Sequence, residues 1–190
     1  MPNCAANCAS YSPAAGDSII FRGGDTWHFG NSGSAPYTGG GWVWTWSGSS
    51  NNYIYIGVDQ SWYAGSSWVR PILTSDNPTS KAPVSSCSYK AGSGNTIMYL
   101  SGVRYIAFDN FELTGLCWDS GTIGSNYVHI VGAVAGNGNP MTIENLYIHG
   151  WTYTTGGTQA GAAGIQGYNQ NYGETITHNV IDAQTPTITP

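Results

Sequence analysis

The sequence predicts an all-β protein built from stacked coils of short strands, and two observations support this class. The first is composition: only 8% of the 190 residues are charged, against about 25% in an ordinary soluble domain, and 27 are glycines. Long helical bundles need many Glu, Lys, Leu and Arg residues, and disordered chains combine high charge with low hydrophobicity. The chain fits neither class, which leaves a turn-rich β protein.

The second observation is an internal repeat. Residues 104–115, 140–150 and 174–183 each contain a short β-prone run, a polar residue, an asparagine and a second apolar run closed by a small residue. The asparagines at 110, 145 and 179 are therefore 35 and 34 residues apart. Such a period, with no helical pattern between the segments, is typical of stacked coils of strand.

Each predicted coil holds three short strands separated by loops of Gly, Ser, Asn and Thr. In one coil these are the run around Val128, the run that ends at Asn145 and the run from Leu146 to Ile148. Residues 95–100 and 163–167 occupy places equivalent to the first of these runs. Earlier in the chain, residues 16–24, 52–57 and 70–74 show the same strand-like pattern between turn residues.

Three phrases carry a family resemblance: Ala15-Gly-Asp-Ser-Ile-Ile-Phe-Arg-Gly-Gly, Val103-Arg-Tyr-Ile-Ala-Phe-Asp-Asn-Phe-Glu-Leu-Thr-Gly and Thr142-Ile-Glu-Asn-Leu-Tyr-Ile-His-Gly. They resemble right-handed parallel β-helix proteins of the pectate-lyase-like superfamily, over residues 13–183. The resemblance implies one β-helix domain over residues 1–190, with about four to five coils. Residues 1–15 would be a lead-in, residues 30–52 a Gly- and Trp-rich insertion, and residues 184–190 a tail or linker.

The resemblance also bears on the ends of the chain. In that superfamily a helix or strand usually caps the first coil, whereas this sequence shows no such cap and ends on an open coil. We therefore expect an N-terminal portion of a longer secreted protein. The uncapped last coil would leave a strand edge through which two chains could associate edge to edge.

The repeated asparagines, Asn110, Asn145 and Asn179, are interpreted as structural. An Asn at the same bend of each coil can bond to the Asn above and below and satisfy bend amides that the sheets leave free. The competing interpretation is a catalytic role.

One outward side chain precedes each asparagine, and the repeat predicts that Asp109, Glu144 and His178 line one outer groove. Two carboxylates and an imidazole in a row suit acid–base cleavage of a glycosidic bond, so these are the candidate catalytic residues. The alternative is that they are the solvent-facing polar positions of amphipathic strands.

A second candidate is aromatic. If residues 42–46 are extended, Trp42, Trp44 and Trp46 share one face and form a flat strip on which sugar rings could stack. Alternatively, these tryptophans fold back over the first coil as its hydrophobic cover. The next loop could extend the strip with three further aromatic residues: Trp62, Tyr63 and Trp68.

The four cysteines, Cys4, Cys8, Cys87 and Cys117, lack the spacing of a zinc site. In an extracellular protein they predict disulfides, with three connectivities allowed, of which we prefer Cys4–Cys8 and Cys87–Cys117. Four buried free thiols are the alternative.

Composition limits the partners. A net charge of −5 with only five basic residues argues against nucleic acid, and the sequence has no apolar run of membrane-spanning length. The resembling lyases use acidic calcium ligands that are not visible here, so no metal or cofactor is expected. We expect a secreted, extracellular or cell-surface enzyme that acts on a polysaccharide by lyase or glycoside-hydrolase chemistry. The alternative is a non-catalytic carbohydrate-binding, adhesive or structural β-solenoid.

Overall fold

The computed structural model describes residues 11–28, 42–74, 76–79, 84–86, 96–115, 117–118, 128–134, 140–150, 152–153, 162–168 and 173–182. One short 3-10 helix, Gln60–Trp62, lies among the strands of these residues. The strands are, in chain order, β1 (Ser18–Phe21), β2 (Thr26–His28), β3 (Trp42–Trp44), β4 (Ile54–Val58), β5 (Ile72–Thr74), β6 (Thr96–Ser101), β7 (Ile106–Asp109), β8 (Glu112–Thr114), β9 (Cys117–Trp118), β10 (Val128–Val134), β11 (Met141–Glu144), β12 (Tyr147–His149), β13 (Thr152–Tyr153), β14 (Ala162–Tyr168), β15 (Glu174–Thr177) and β16 (Val180–Asp182).

The chain passes through three sheets in a fixed order, and neighbours in each sheet come from successive passes. The first sheet has the order β1-β4-β7-β11-β15, the second β16-β12-β8-β5-β2 and the third β14-β10-β6-β3, with β13 and β9 as a separate pair. All of these strand pairs are parallel. The predicted all-β class is confirmed, and the stacked parallel strands are compatible with a β-solenoid.

The core fills the space between the sheets, because alternate residues of each strand point inward. In β7 and β11 the pattern is buried, half-buried, buried, half-buried, as period-two alternation requires. Successive passes place apolar residues in columns, such as Ile56, Phe108 and Ile143 in the first sheet. Phe108 also stacks on Phe111 at a centroid distance of 4.6 Å. The inward residues of β7 and β11 are therefore all buried: Ile106, Phe108, Met141 and Ile143.

Bends between the first and second sheets depend on residues with left-handed backbone. Asn110, Asn145 and His178 have φ of 68°, 56° and 53°, respectively. Asparagine tolerates this region better than most residues, which explains its recurrence at the first two bends. After the second sheet Gly150 turns the chain at φ 67°, where a Cβ would also lie 2.6 Å from Thr114 Oγ1. The bend side chains are thus selected mainly by backbone conformation.

The third repeat differs in register from the sequence prediction. Glu144 pairs with Thr177, so the bend residue after it is His178, and Asn179 falls one place later. Ile176 pairs with Ile143 and so continues the column of Ile56, Phe108 and Ile143. Ile176 lies three residues before Asn179, whereas Ile143 lies two residues before Asn145. The third bend therefore contains one more residue, His178, ahead of its asparagine.

The asparagine side chains bond differently from the prediction. Asn179 Nδ2 donates to the carbonyl of Ile143 at 3.0 Å, and its Oδ1 accepts from the N–H of Leu146 at 2.9 Å. Asn145 Nδ2 instead donates to Asp109. In the described residues these side chains bond to carboxylate and main-chain groups rather than to one another. A structural role is supported for Asn179, and the side chains of Asn145 and Asn179 bond to a carboxylate and to main-chain groups and not to each other.

Several sequence predictions lie outside the described residues. These include Cys4, Cys8 and Cys87, together with the tail 184–190, while Cys117 is described in its backbone alone. Disulfide formation therefore stays a prediction. Within the expected insertion 30–52, Trp42–Trp44 forms strand β3, which pairs with β6.

Candidate functional site

The outer face of the first sheet brings two of the three predicted catalytic residues together. Asp109 ends β7 and Glu144 ends β11, and the two are register partners on adjacent strands. Both side chains are half-buried on the outward face. The third residue of this row is Thr177, and not His178 as the sequence predicted. His178 lies at the following bend, where its Nδ1 is 3.0 Å from Thr177 Oγ1.

Asp109 is held by hydrogen bonds at both carboxylate oxygens. The hydroxyl of Tyr55 donates to Oδ2 at 2.6 Å, and Asn145 Nδ2 donates to Oδ1 at 2.7 Å. In the first sheet β7 lies between β4 and β11. Tyr55 belongs to β4, and Asn145 directly follows β11. The carboxylate is therefore tied to both neighbouring coils.

Tyr55 reaches Asp109 because the outer face is empty at Gly57. A Cβ added to Gly57 would lie 2.4 Å from both Cζ and the hydroxyl of Tyr55, so any side chain would displace the ring. The main-chain N–H of Val58 donates to the same hydroxyl at 3.2 Å. The phenol thus accepts one hydrogen bond and donates another to the carboxylate.

The surroundings of Tyr55 keep its hydroxyl protonated. Burial of the ring, the hydrogen bond to Asp109 and the negative charges of Asp109 and Glu144 raise the pKa of Tyr55 to about 12. The N–H of Val58 acts in the opposite direction. At neutral pH the residue is therefore a hydrogen-bond donor and not a base.

Arg70 brings a positive charge to the same corner. It immediately precedes Pro71 and β5, at the place that Asn110 occupies before β8, and its Nε donates to the carbonyl of Asn145 at 3.1 Å. Sequence reasoning missed both Tyr55 and Arg70. The alternation in Tyr53-Ile-Tyr-Ile-Gly57 could have predicted that Tyr55 faces outward. No feature of the sequence near Arg70 predicted its contact with Asn145, which is 75 residues away in the chain.

The tryptophan strip predicted for residues 42–46 is not an exposed surface. Trp44 is fully buried, and Trp46 packs against the core beside it. Their rings meet edge to face at 73°, and Trp44 Nε1 donates to the carbonyl of Trp46 at 2.8 Å. Trp44 and Trp46 therefore form part of the hydrophobic cover. The side chain of Trp42 lies outside the described residues.

The later aromatic group lies on the loop between β4 and β5. Trp62 is 55% exposed at the end of the 3-10 helix, while Tyr63 and Trp68 are half-buried with rings edge to face at 5.5 Å. The helix is capped by Asp59, whose Oδ1 accepts from the N–H of Ser61. Both ends of this loop contact the surroundings of Asp109: Val58 donates to the Tyr55 hydroxyl, and Arg70 donates to the carbonyl of Asn145.

Two histidines on the second sheet are paired with acids. Glu112 Oε1 lies 2.8 Å from His149 Nε2, and the His149 ring stacks on Tyr147. His28 Nδ1 lies 2.6 Å from Asp76 Oδ1. These pairs lie on a different sheet from Asp109, so they are separate from the carboxylate corner.

Comparison with family models, curated proteins and solved structures gives no match to this chain. In the part of the chain that the structure describes, no helix has the length and apolar character needed to cross a bilayer. Likewise, the described residues contain no group of three or more His, Cys, Asp or Glu side chains arranged to hold a metal ion.

Proposed function

We propose that the protein is a secreted, right-handed parallel β-helix of the pectate-lyase-like superfamily that cleaves a glycosidic bond in a polysaccharide. The single observation that carries the proposal is the carboxylate pair of Asp109 and Glu144, placed side by side and outward on adjacent strands. Tyr55 and Asn145 bond to Asp109, and Arg70 bonds to the carbonyl of Asn145. We name these three residues and the carboxylate pair the acidic corner.

Hydrolysis is the chemistry that the acidic corner fits best. Most glycoside hydrolases use two carboxyl groups: one protonates the leaving oxygen, and the other attacks the sugar or activates water. Elimination chemistry would instead need a base beside a cation at the acid group of the sugar. Arg70 is half-buried and already bonded to Asn145, so the carboxylate pair favours hydrolysis.

Substitution of the two carboxyl groups tests this proposal. Asp109→Asn and Glu144→Gln should each lower the cleavage rate by about 100-fold or more on any polysaccharide that the wild-type protein cleaves. Reducing ends report hydrolysis, and the ultraviolet absorbance of an unsaturated sugar reports elimination. Glu112→Gln is the matched control, because Glu112 lies on the second sheet and pairs with His149.

The outcomes distinguish a catalytic role of Asp109 and Glu144 from an effect on folding. Retained cleavage in both variants would remove the acidic corner from the mechanism. Loss of cleavage in Glu112→Gln as well, with an altered circular dichroism spectrum, would attribute the effect to folding instead.

A second function, glycan binding without cleavage, is favoured by the exposure of Trp62. An exposed indole, on the same loop as a packed pair of aromatic rings, offers an apolar face to sugar rings. In this case the protein would be retained on an insoluble glycan without product release. Trp62→Ala would abolish retention, whereas Asp109→Asn would not.

A further inference from the structure

We propose that the two carboxyl groups have separate duties: Asp109 attacks the anomeric carbon, Glu144 carries the proton, and cleavage retains the anomeric configuration. This inference rests on the proposed hydrolase function. Its support is the asymmetry between the surroundings of the two groups, together with their spacing along the sheet.

Asp109 has the surroundings of a fixed anion. Its two oxygens accept from Tyr55 and Asn145, at 2.6 and 2.7 Å, and both are donors to an ionised carboxylate. Each oxygen keeps a further lone pair that can face a substrate. The side chain is therefore oriented before any substrate binds.

Glu144 has a different environment. Across the described ranges, no hydrogen bond reaches its carboxyl group, although its main-chain carbonyl accepts from the N–H of Asn110 at 3.1 Å. The backbone is thus fixed while the carboxyl group is left to exchange a proton. A group that must alternate between acid and base needs this freedom.

The spacing of the pair points to retention. Register partners on adjacent parallel strands have main chains about 4.8 Å apart, and side chains on the same face leave the sheet side by side. Retaining glycosidases hold their two carboxyl groups about 5 to 5.5 Å apart, whereas inverting enzymes leave about 6.5 to 9.5 Å for a water molecule. Asp109 and Glu144 start from main-chain positions on one face whose spacing is closer to the retaining separation.

The reaction then has two balanced steps. In the first, an oxygen of Asp109 forms a bond to the anomeric carbon as the glycosidic C–O bond breaks. The electron pair of that bond goes to the leaving oxygen, which takes the proton of Glu144. In the second, the carboxylate of Glu144 takes a proton from water, whose oxygen attacks the anomeric carbon. The bond to Asp109 breaks, and both carboxyl groups return to their starting states.

Tyr55 is the positioning residue in this scheme. Its hydroxyl donates to Oδ2 of Asp109 and so orients the carboxyl group, and the empty face at Gly57 allows the ring to lie in place. Gly57→Ala should displace the ring and reproduce the effect of Tyr55→Phe, because the added Cβ would lie 2.4 Å from the hydroxyl.

The anomeric configuration of the first product, followed by NMR with the wild-type chain, tests the inference directly. Retention is the expected result. Inversion would overturn the inference and leave the hydrolase proposal standing, whereas formation of an unsaturated product or absence of any cleavage would overturn the hydrolase proposal itself.

An aryl glycoside with a good leaving group separates the duties of the two residues. Glu144→Gln should recover the first step on this substrate, because little protonation is needed, and added azide should raise turnover further. Asp109→Asn should recover neither. Recovery by Asp109→Asn instead would assign the duties the other way and overturn the inference.

The positioning role of Tyr55 is read from kcat and KM measured separately. Tyr55→Phe and Gly57→Ala should each lower kcat by about 10- to 100-fold, the loss expected for one hydrogen bond to a charged group, with KM little changed. Tyr53→Phe is the control, and a wild-type kcat in both Tyr55→Phe and Gly57→Ala would remove the role.

Discussion

At the scale of single residues, the carboxylate of Asp109 joins three passes of the chain. Its partners are Tyr55 from the preceding strand of the first sheet and Asn145 from the bend after the following strand. Such a contact exists only when the three passes are in register. The same side chain is thus both a candidate nucleophile and a link between coils.

The raised pKa of Tyr55 predicts a loss of stability at high pH. Because the pKa is about 12 when folded and 10.0 ordinarily, the unfolded chain loses this proton first. The stabilisation is complete below pH 10 and disappears as the pH rises toward 12. A two-unit shift corresponds to roughly 2.7 kcal/mol, which we reduce to about 1 kcal/mol because the ring is half-exposed.

Chemical denaturation at several pH values measures this effect. The free energy of unfolding of Tyr55→Phe should fall less steeply between pH 10 and pH 12 than that of the wild-type protein. Tyr53→Phe, which leaves the contact with Asp109 in place, should follow the wild-type slope. Parallel slopes in all three proteins would contradict the assigned environment of Tyr55.

At the scale of elements, the bends decide which residues share a row. Asn110, Asn145 and His178 occupy equivalent left-handed positions, although only the first two are the same residue type. Asn179 bonds to the main chain of the preceding bend from one position later. The nearly equal spacing of the three asparagines therefore concealed that Asn179 lies one residue beyond the bend position that Asn110 and Asn145 occupy.

Substitution of the two adjacent residues at the third bend tests this register. His178→Asn should keep the fold and any activity, since asparagine suits the left-handed backbone. Asn179→Ala should lower the free energy of unfolding by about 1 to 3 kcal/mol, because two main-chain groups lose their partner. Thermal unfolding and cleavage assays measure both effects. Loss of activity in a stable His178→Asn variant would restore His178 as a catalytic candidate.

Strand β3 shows why alternation alone was not enough to place the tryptophans. Residues Trp42–Trp44 form a strand, and the alternation of tryptophans left two interpretations of the indoles open. The pairing of Trp44 with Leu100 in β6 turns that indole toward the core. A long-range pairing of this kind leaves no signal in the local sequence.

At the scale of the whole molecule, the inward columns stabilise the stack, and among the described residues they are least covered in the coil of β15 and β16, here called the last coil. Ile148 is fully buried, whereas Ile181, its partner in the next coil, is 47% exposed. Ile176 and Val180 in that coil are also exposed. Edge-to-edge association of two chains through this coil stays a prediction, which sedimentation over a range of concentrations would test.

The two isoleucines of this column should respond differently to truncation. Ile148→Ala should lower the free energy of unfolding by about 2 to 5 kcal/mol, because it leaves a cavity in a closed core. Ile181→Ala should cost under about 1 kcal/mol, since much of its surface is already in water. Urea denaturation of both variants measures the difference. Equal losses would show that the last coil is covered in solution.

The sequence alone determined the all-β class, the repeat and most of the strands, because period-two alternation and turn residues act locally. It also identified Asp109 and Glu144 as neighbours, since the first two repeats have the same internal spacing. The tertiary structure decided the register of the third repeat, the burial of Trp44 and the arrival of Tyr55 and Arg70 at the acidic corner. These depend on packing between residues that are far apart in the chain, where a shift of one position changes which side chains meet.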